Sequence, residues 1–227
     1  IMNKRNLILF IAYSVVICGL LALMNDFGTA LIFFVAFLCI AFLRTGDLPS
    51  IAMMVAAAAF GCGIILRFKP YIADRFAAWG HVWDYAQDMG YQQTRTMSAM
   101  ASGGLFGVGL GNSRQKYSYL TQAHTDFIFS IWCEEWGFIG AAGLIILFIL
   151  FVWRGYVIAM RAPDKFTMLT AFGITTHVGL QAFLNMCVAS DLIMNTGITL
   201  PFFSYGGSSL VVLMMEMGIL LSISRQY

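Results

Sequence analysis

Charged side chains are scarce in this sequence. Only 11% of its 227 residues are Asp, Glu, Lys or Arg, whereas 60% are hydrophobic, and the mean hydropathy is +0.81. A soluble domain carries charge at about a quarter of its positions, so a soluble globular protein is excluded. The net charge of +2 is too small to indicate a nucleic-acid-binding surface. The composition predicts an all-α, polytopic membrane protein.

The cysteine spacing of a disulfide framework or a metal site is also missing. The five cysteines stand singly in apolar segments, at Cys18, Cys39, Cys62, Cys133 and Cys187. Disulfide frameworks and zinc sites use paired or clustered cysteines, whereas isolated cysteines in apolar runs usually pack as small hydrophobic residues. No clear ligand cluster of other side chains is present, so the sequence assigns no metal site.

Six apolar segments are long enough to cross a bilayer as helices, for which about 20 residues suffice. They are predicted at Leu7–Met24, Phe27–Leu43, Pro49–Leu66, Phe127–Trp153, Phe166–Ala189 and Ser208–Ile223. Lys4 and Arg5 would also suit a signal peptide, but no small-residue cleavage site follows the long apolar run. Between the third and fourth spans, the aromatic residues and scattered charges of loop 67–125 predict short amphipathic segments at the membrane interface.

Basic residues predict the orientation of these spans. One side of the membrane carries Lys4, Arg5, Arg44, Arg154, Arg161, Lys165 and Arg225. The connections at Asn25–Asp26 and near Asp191 carry no basic residue. Because short cytoplasmic loops are enriched in Lys and Arg, both termini are predicted to be cytoplasmic and loop 67–125 extracytoplasmic. Asp126, which follows that loop, is then predicted on the outer side.

Three carboxylates stand where the loop becomes the fourth span: Asp126, Glu134 and Glu135. A helix from Asp126 to Trp153 would measure roughly 42 Å against a hydrocarbon core of about 30 Å. Asp126 is therefore expected at headgroup level, where a lipid carries its phosphate. Carboxylates entering a bilayer usually face protein or water. Thr125–Asp126 is interpreted either as a helix N-cap or as the position of a functional carboxylate.

Glycines and cations of the loop precede these carboxylates. The cluster Gly103–Gly111 does not match a nucleotide-binding loop, because no Gly-Lys-Ser/Thr follows and no strand leads into a helix. Arg114 and Lys116 come next, and they either hold an anionic group or are ordinary solvated charges.

Polar residues also mark the last two spans. His177, Gln181 and Asn185 recur every four residues and share one helix face, where they serve interhelical hydrogen bonding or line a cavity. The turn Thr196–Ser209 opens the sixth span, and its N–H groups suit either an anion or a simple capping turn. Glu216, in mid-span, requires a partner or a proton.

Several stretches resemble the SEDS family of shape, elongation, division and sporulation proteins. They are Gly103–Gly107, Gln115–Lys116, His124–Phe129, Glu134–Gly137 and Leu200–Ser209, with Asp26–Ala30 also similar. The resemblance implies a bundle of ten spans, of which this chain matches the last six, so four spans are expected before Ile1. Activity is accordingly expected of the complete protein rather than of the six spans alone.

The resemblance implies a peptidoglycan glycosyltransferase that polymerises lipid II and acts with a class B penicillin-binding protein, a transpeptidase. Asp126 matches the family's essential aspartate, the expected general base for attack of the acceptor 4-hydroxyl on the donor anomeric carbon. A positive charge or a divalent cation is expected to stabilise the departing undecaprenyl pyrophosphate. The expected substrate-binding residues are Lys116, Arg75, Arg114, His124, Thr125, Glu134, Glu135, Ser204, Tyr205, Gly206, Gly207 and Ser208.

Two other functions stay open at this point. One is a non-catalytic scaffold that recruits the penicillin-binding protein. The other is a transporter of the lipid-linked precursor, with Asp126, Glu134 and Glu135 along its path. The sequence also departs from the family, which commonly has Pro-Glu at Thr121–Gln122 and usually a proline near Met194. These departures concern the geometry of the loops beside Asp126.

Overall fold

The computed structural model of the protein describes residues 12–13, 16–17, 19–21, 23–24, 26–46, 48–68, 79–87, 90–118, 120 and 123–226. Regular structure within those ranges is entirely helical. Its longer elements are α1 (Phe27–Thr45), α2 (Leu48–Phe68), α3 (Tyr91–Gly103), α4 (Arg114–Ser118), α5 (Ile128–Arg161), α6 (Lys165–Ala189) and α7 (Gly207–Ser224). The predicted all-α class is confirmed.

Helices α1, α2, α5, α6 and α7 coincide with the second to sixth predicted spans. By length and composition, α5, α6 and α7 could each cross a membrane, and α1 contains a shorter apolar stretch at Gly28–Arg44. The predicted first span lies largely outside the described residues. Loop 67–125 contains helices α3 and α4, as expected of a loop with short segments, and the buried face of α3 is formed mainly by small and polar side chains such as Thr94 and Thr96.

Capping residues fix where the helices start. Asp26 caps α1 by accepting a hydrogen bond at 3.0 Å from the Thr29 N–H. Asp164 caps α6 in the same way through Thr167 N, also at 3.0 Å. Such caps satisfy N–H groups that the first helical turn leaves without an intrahelical partner. At the other end of α1, Gly46 adopts a left-handed conformation with φ 65°.

Helix α6 lies at the centre of the bundle and packs against α5, α1 and α7. Close approach to α5 depends on glycine: a Cβ atom at Gly179 would stand 2.6 Å from Val152 Cγ2, and one at Gly155 would overlap Thr175. Small residues at such crossings let membrane helices approach closely enough for extensive van der Waals contact. Asn185 and Thr175 are fully buried in this arrangement.

Helix α5 is interrupted at Gly137, which has φ 66° and ψ −165°. The glycine loop that follows α3 pairs with the interruption through main-chain hydrogen bonds. These are Val108 N to Glu134 O at 3.0 Å, Gly109 N to Glu135 O at 3.1 Å, Phe138 N to Gly104 O at 2.9 Å and Ile139 N to Leu105 O at 3.2 Å. Backbone groups within a membrane must be paired inside the protein, and the loop supplies that pairing.

Two expectations for the fourth span are therefore wrong. The span is not one continuous helix from Asp126, because Gly137 breaks it, so the estimate of roughly 42 Å for a straight helix does not apply. It also does not end near Trp153 but continues to Arg161. Arg154 consequently lies inside α5 rather than in a connecting loop, and the link to α6 is reduced to residues 162–164.

Candidate active site

The segment His124-Thr125-Asp126 is held in place by its main chain. Each of its three successive carbonyl oxygens accepts a hydrogen bond from another part of the protein. The donors are Tyr205 N to His124 O at 2.8 Å, Ser204 Oγ to Thr125 O at 2.6 Å and Asn185 Nδ2 to Asp126 O at 2.7 Å. These three hydrogen bonds fix the main chain of the segment at both the α6–α7 loop and α6.

The carboxylate of Asp126 is half-buried beside the loop that joins α6 to α7. A Cβ atom added to Gly197 would stand 3.7 Å from Asp126 Oδ2, and Gly197 has φ +70°. The N-cap position of α5 is occupied by Phe127, which makes no side-chain capping hydrogen bond. The start of the helix therefore does not use Thr125 or Asp126 as its N-cap residue, and the capping interpretation is wrong.

Ser204 organises the α6–α7 loop. Its hydroxyl accepts a hydrogen bond from Leu200 N at 2.7 Å while donating to Thr125 O. The Tyr205 ring meets the His124 ring edge-on, with centroids 5.9 Å apart.

Asp191 lies at the start of the α6–α7 loop. Burial raises the pKa of its side-chain carboxyl. Its main-chain carbonyl accepts a hydrogen bond from Trp79 Nε1 at 3.2 Å.

A cleft of about 440 Å³, lined by both apolar and polar side chains, begins at this loop and reaches between α1, α6 and α7. Its polar lining includes Asp26, His177, Gln181, Thr199, Ser208 and Glu216, together with Gly197 and Ser204. Gln181 Nε2 donates to both the carbonyl and the hydroxyl of Thr199, each at 3.1 Å. The cleft thus connects the surroundings of Asp126 with the interior of the bundle.

Glu216, which the sequence predicts to need a partner or a proton, has His177 as its partner. Their Oε2 and Nδ1 atoms lie 3.2 Å apart, across the contact between α6 and α7. The polar stripe of α6 therefore has both functions considered for it: His177 and Gln181 line the cleft, whereas Asn185 is fully buried and bonds to main-chain carbonyls.

Glu134 anchors the loop instead of facing an open site. It is 2% exposed, and its carboxylate accepts hydrogen bonds from Ser113 Oγ at 2.5 Å and from Arg114 N at 3.1 Å. Because both carboxylate oxygens accept hydrogen bonds at the start of α4, Glu134 holds α4 against α5. Its expected contact with substrate stays a prediction.

Lys116 on α4 has an accessible ammonium group. Its side chain is 44% exposed, and Nζ lies 3.9 Å from Glu135 Oε1, which is a long ion pair. Glu135 itself is largely buried, with 11% of its side chain exposed. The side chain of Arg114 is exposed beside it. Two exposed cations therefore lie two residues apart on α4, which Glu134 holds.

The other expected site residues have varied positions. His124, Tyr205, Gly207 and Ser208 are exposed near the start of α7, and Gly206 is its N-cap residue without a side-chain cap. Arg75 lies outside the described residues, as do Thr121 and Gln122. In the part of the chain that the structure describes, no three His, Cys, Asp or Glu side chains group as a metal site would require.

Sequence reasoning did not identify Gly28 and Gly197 as parts of this site. A Cβ atom on Gly28 would stand 2.8 Å from Thr196 O, so α1 abuts the loop beside Asp126. The sequence does mark both glycines, because Gly28 belongs to the motif Asp26–Ala30 and Gly197 to the motif Thr196-Gly197. Only the folded chain shows that the two motifs meet.

Comparison with known proteins places these features in a family. The sequence profile of the cell cycle proteins FtsW, RodA and SpoVE matches residues 2–227. The chain is 45% identical to the Stage V sporulation protein E of Bacillus subtilis (strain 168) over 163 residues, which cover 72% of this chain and 44% of that protein. It is 39% identical to the probable peptidoglycan glycosyltransferase FtsW of the same organism over 226 residues, covering 94% of this chain and 55% of the relative.

A solved structure shows the same fold. It is described as the structural coordination of polymerization and crosslinking by a peptidoglycan synthase complex. One chain in it is 30% identical to this one, with a TM-score of 0.78, and the match covers 96% of this chain and 61% of that chain. The present chain spans about half the length of the curated relatives it matches.

Proposed function

This chain belongs to the cell cycle protein family of FtsW, RodA and SpoVE, and we propose that the full-length protein is a peptidoglycan glycosyltransferase. The resemblance to the SEDS family is thereby confirmed. One observation carries the activity: the segment His124–Asp126 is fixed by its three carbonyls so that a carboxylate stands beside Gly197, at the edge of a cleft that contains polar side chains. A scaffold or a transport path would not require a carboxylate fixed in this way.

We propose that Asp126 is the general base. It takes the proton from the acceptor sugar's 4-hydroxyl as that oxygen attacks the anomeric carbon of the lipid-linked donor, and the pyrophosphate-lipid leaves. General-base catalysis typically contributes 10²–10⁴-fold in rate. The contribution depends on holding the base in a productive position, and the fixed main chain supports such positioning.

The lining of the cleft favours sugar over pyrophosphate. Its hydroxyl, amide and carboxylate groups are the types that bond to sugar hydroxyls, and none of its described lining residues is Lys or Arg. The anionic leaving group is therefore proposed to lie outside the cleft, toward Lys116 and Arg114, whose positive charges would stabilise it.

The chain is a multi-pass protein of the bacterial cytoplasmic membrane. We propose that Asp126 faces the extracytoplasmic side and that both termini are cytoplasmic, as the basic residues indicate. A crosslinking transpeptidase, a class B penicillin-binding protein, is the proposed partner, because the solved complex that shares this fold joins polymerization with crosslinking.

Substitution Asp126→Asn tests the proposal in the full-length protein, with purified lipid II as substrate and no energy source. Asn retains the size of Asp but cannot accept the proton, so polymerisation should fall by about 10²–10⁴-fold. Expression and thermal stability should stay near wild type, because Asn keeps the size of Asp and most of its hydrogen bonding. Normal polymerisation by the Asp126→Asn variant would remove Asp126 from catalysis and favour the scaffold.

A further inference from the structure

Asn185 makes an unusual connection from the centre of α6. Its side chain is fully buried, and Nδ2 donates to two main-chain carbonyl oxygens, those of Asp126 and Ile198, at 2.7 Å each. The first carbonyl belongs to the segment leading into α5 and the second to the α6–α7 loop. One amino group thus joins three separate parts of the chain.

The orientation of this amide is determined by its partners. Carbonyl oxygens only accept hydrogen bonds, so the amide must present its amino group, not its oxygen, to both of them. Within the described residues, Asn185 Oδ1 has no hydrogen-bond partner. All the hydrogen bonding of the side chain therefore runs through Nδ2, toward the two carbonyls.

Both carbonyls are adjacent to the reacting carboxylate. Asp126 O is the carbonyl of the base itself. Ile198 directly follows Gly197, whose Cβ position would lie 3.7 Å from Asp126 Oδ2. Any shift of Asp126 relative to this loop would stretch at least one of the two short bonds made by the fully buried Asn185 side chain. A lost buried bond of this kind costs about 1–3 kcal/mol.

We propose that Asn185 is a positioning residue for Asp126. It holds the main chain of Asp126 and the main chain of Ile198 through the same amino group. In this way it sets the distance between the Asp126 carboxylate and the α6–α7 loop without touching substrate. This inference rests on the proposed glycosyltransferase activity and adds to it the element that places the base. Gln181, one turn away on the same face, bonds to Thr199 of the loop.

The test uses two variants of the full-length protein that remove the donor and differ in volume, Asn185→Leu and Asn185→Ala. Misplacement of a catalytic group by about 1 Å can reduce the rate about 10²-fold. We expect kcat for lipid II polymerisation to fall by about 10–100-fold in both variants. KM should stay within about threefold of wild type, because substrate contacts are intact.

Tyr156→Phe is the matched control, since it removes a hydrogen bond of 3.2 Å to Thr176 between α5 and α6, away from the cleft. Its kcat and KM should both equal those of wild type. A folded Asn185→Leu or Asn185→Ala variant with wild-type kcat would overturn the proposal. Failure of both variants to fold would also overturn it, because Asn185 would then serve stability alone.

The Asp126→Asn variant, measured alongside, keeps the two proposals apart. Activity in that variant would refute the proposed function. An inactive Asp126→Asn variant together with a fully active Asn185→Leu variant would refute only the positioning role.

Discussion

Gly107 is the residue through which the glycine loop meets the interruption of α5. It has φ +79°, and a Cβ atom there would stand 2.5 Å from the carbonyl carbon of Glu135 and 2.7 Å from Gly137 N. Gly111, four residues later, has almost the same backbone angle, φ +77°, but its Cβ position has no atom within 4 Å. Alanine at these two positions therefore separates backbone strain from steric overlap.

The two variants have different expected costs. A non-glycine residue in the left-handed region costs roughly 1–2 kcal/mol, and both alanine variants bear this cost. Gly107→Ala also pushes the loop away from α5, which breaks the bonds of Val108 N and Gly109 N, now 3.0 and 3.1 Å long. Each lost hydrogen bond costs about 0.5–1.5 kcal/mol in this partly exposed setting. The total for Gly107→Ala is then roughly 2–5 kcal/mol.

Thermal unfolding in detergent, followed by tryptophan fluorescence, measures the difference. For a chain of this size, 1 kcal/mol corresponds to about 2–4 °C in Tm. Gly111→Ala should lower Tm by only a few degrees, whereas Gly107→Ala should lower it by roughly 10 °C. Equal shifts in the two variants would refute the conclusion that the loop is held tightly against the interruption at Gly137.

The remaining predictions concern pH and topology. The side-chain and backbone hydrogen bonds from Thr167 lower the pKa of Asp164 below its ordinary value. Its contribution to stability is thus complete above the unfolded pKa and is lost as pH falls through the folded pKa. The Asp164→Asn variant keeps an uncharged helix cap. Its unfolding free energy, measured by denaturant titration, should therefore fall less than that of wild type between about pH 5 and pH 2. Parallel plots of unfolding free energy against pH for the two proteins would contradict this role of Asp164. Single cysteines introduced near Trp79 and Gln122 should react with an impermeant reagent from outside, whereas one near Arg161 should not; outside labelling near Arg161 would reverse the orientation.

The sequence predicts the membrane helices well because their cause is local. Apolar runs bounded by Gly46, Pro163 or the turn before Gly207 contain most of what determines α1, α6 and α7, and their observed ends agree with the predicted ends to within a few residues. The interruption at Gly137 has no such local sign. Hydrophobic residues continue on both sides of it, and the partner that allows the break is a loop some thirty residues earlier in the chain.

The candidate site is predictable only in part, for the same reason. The four-residue spacing of His177, Gln181 and Asn185 predicts a shared face, but it does not reveal that Asn185 bonds to Asp126 O and Ile198 O. The resemblance to the SEDS family implies that Glu134 binds substrate, but it does not reveal that the carboxylate is buried against Ser113 and Arg114 N. Those contacts join positions about twenty residues apart, so they follow only from the fold.

The carbonyl-held segment His124–Asp126 has a consequence for divergence within the family. Main-chain carbonyls are common to every amino acid, so the three bonds that fix this segment are compatible with many side chains. Substitution of residues 124 and 125 can therefore change the side chains beside Asp126 without removing any of the three main-chain acceptors.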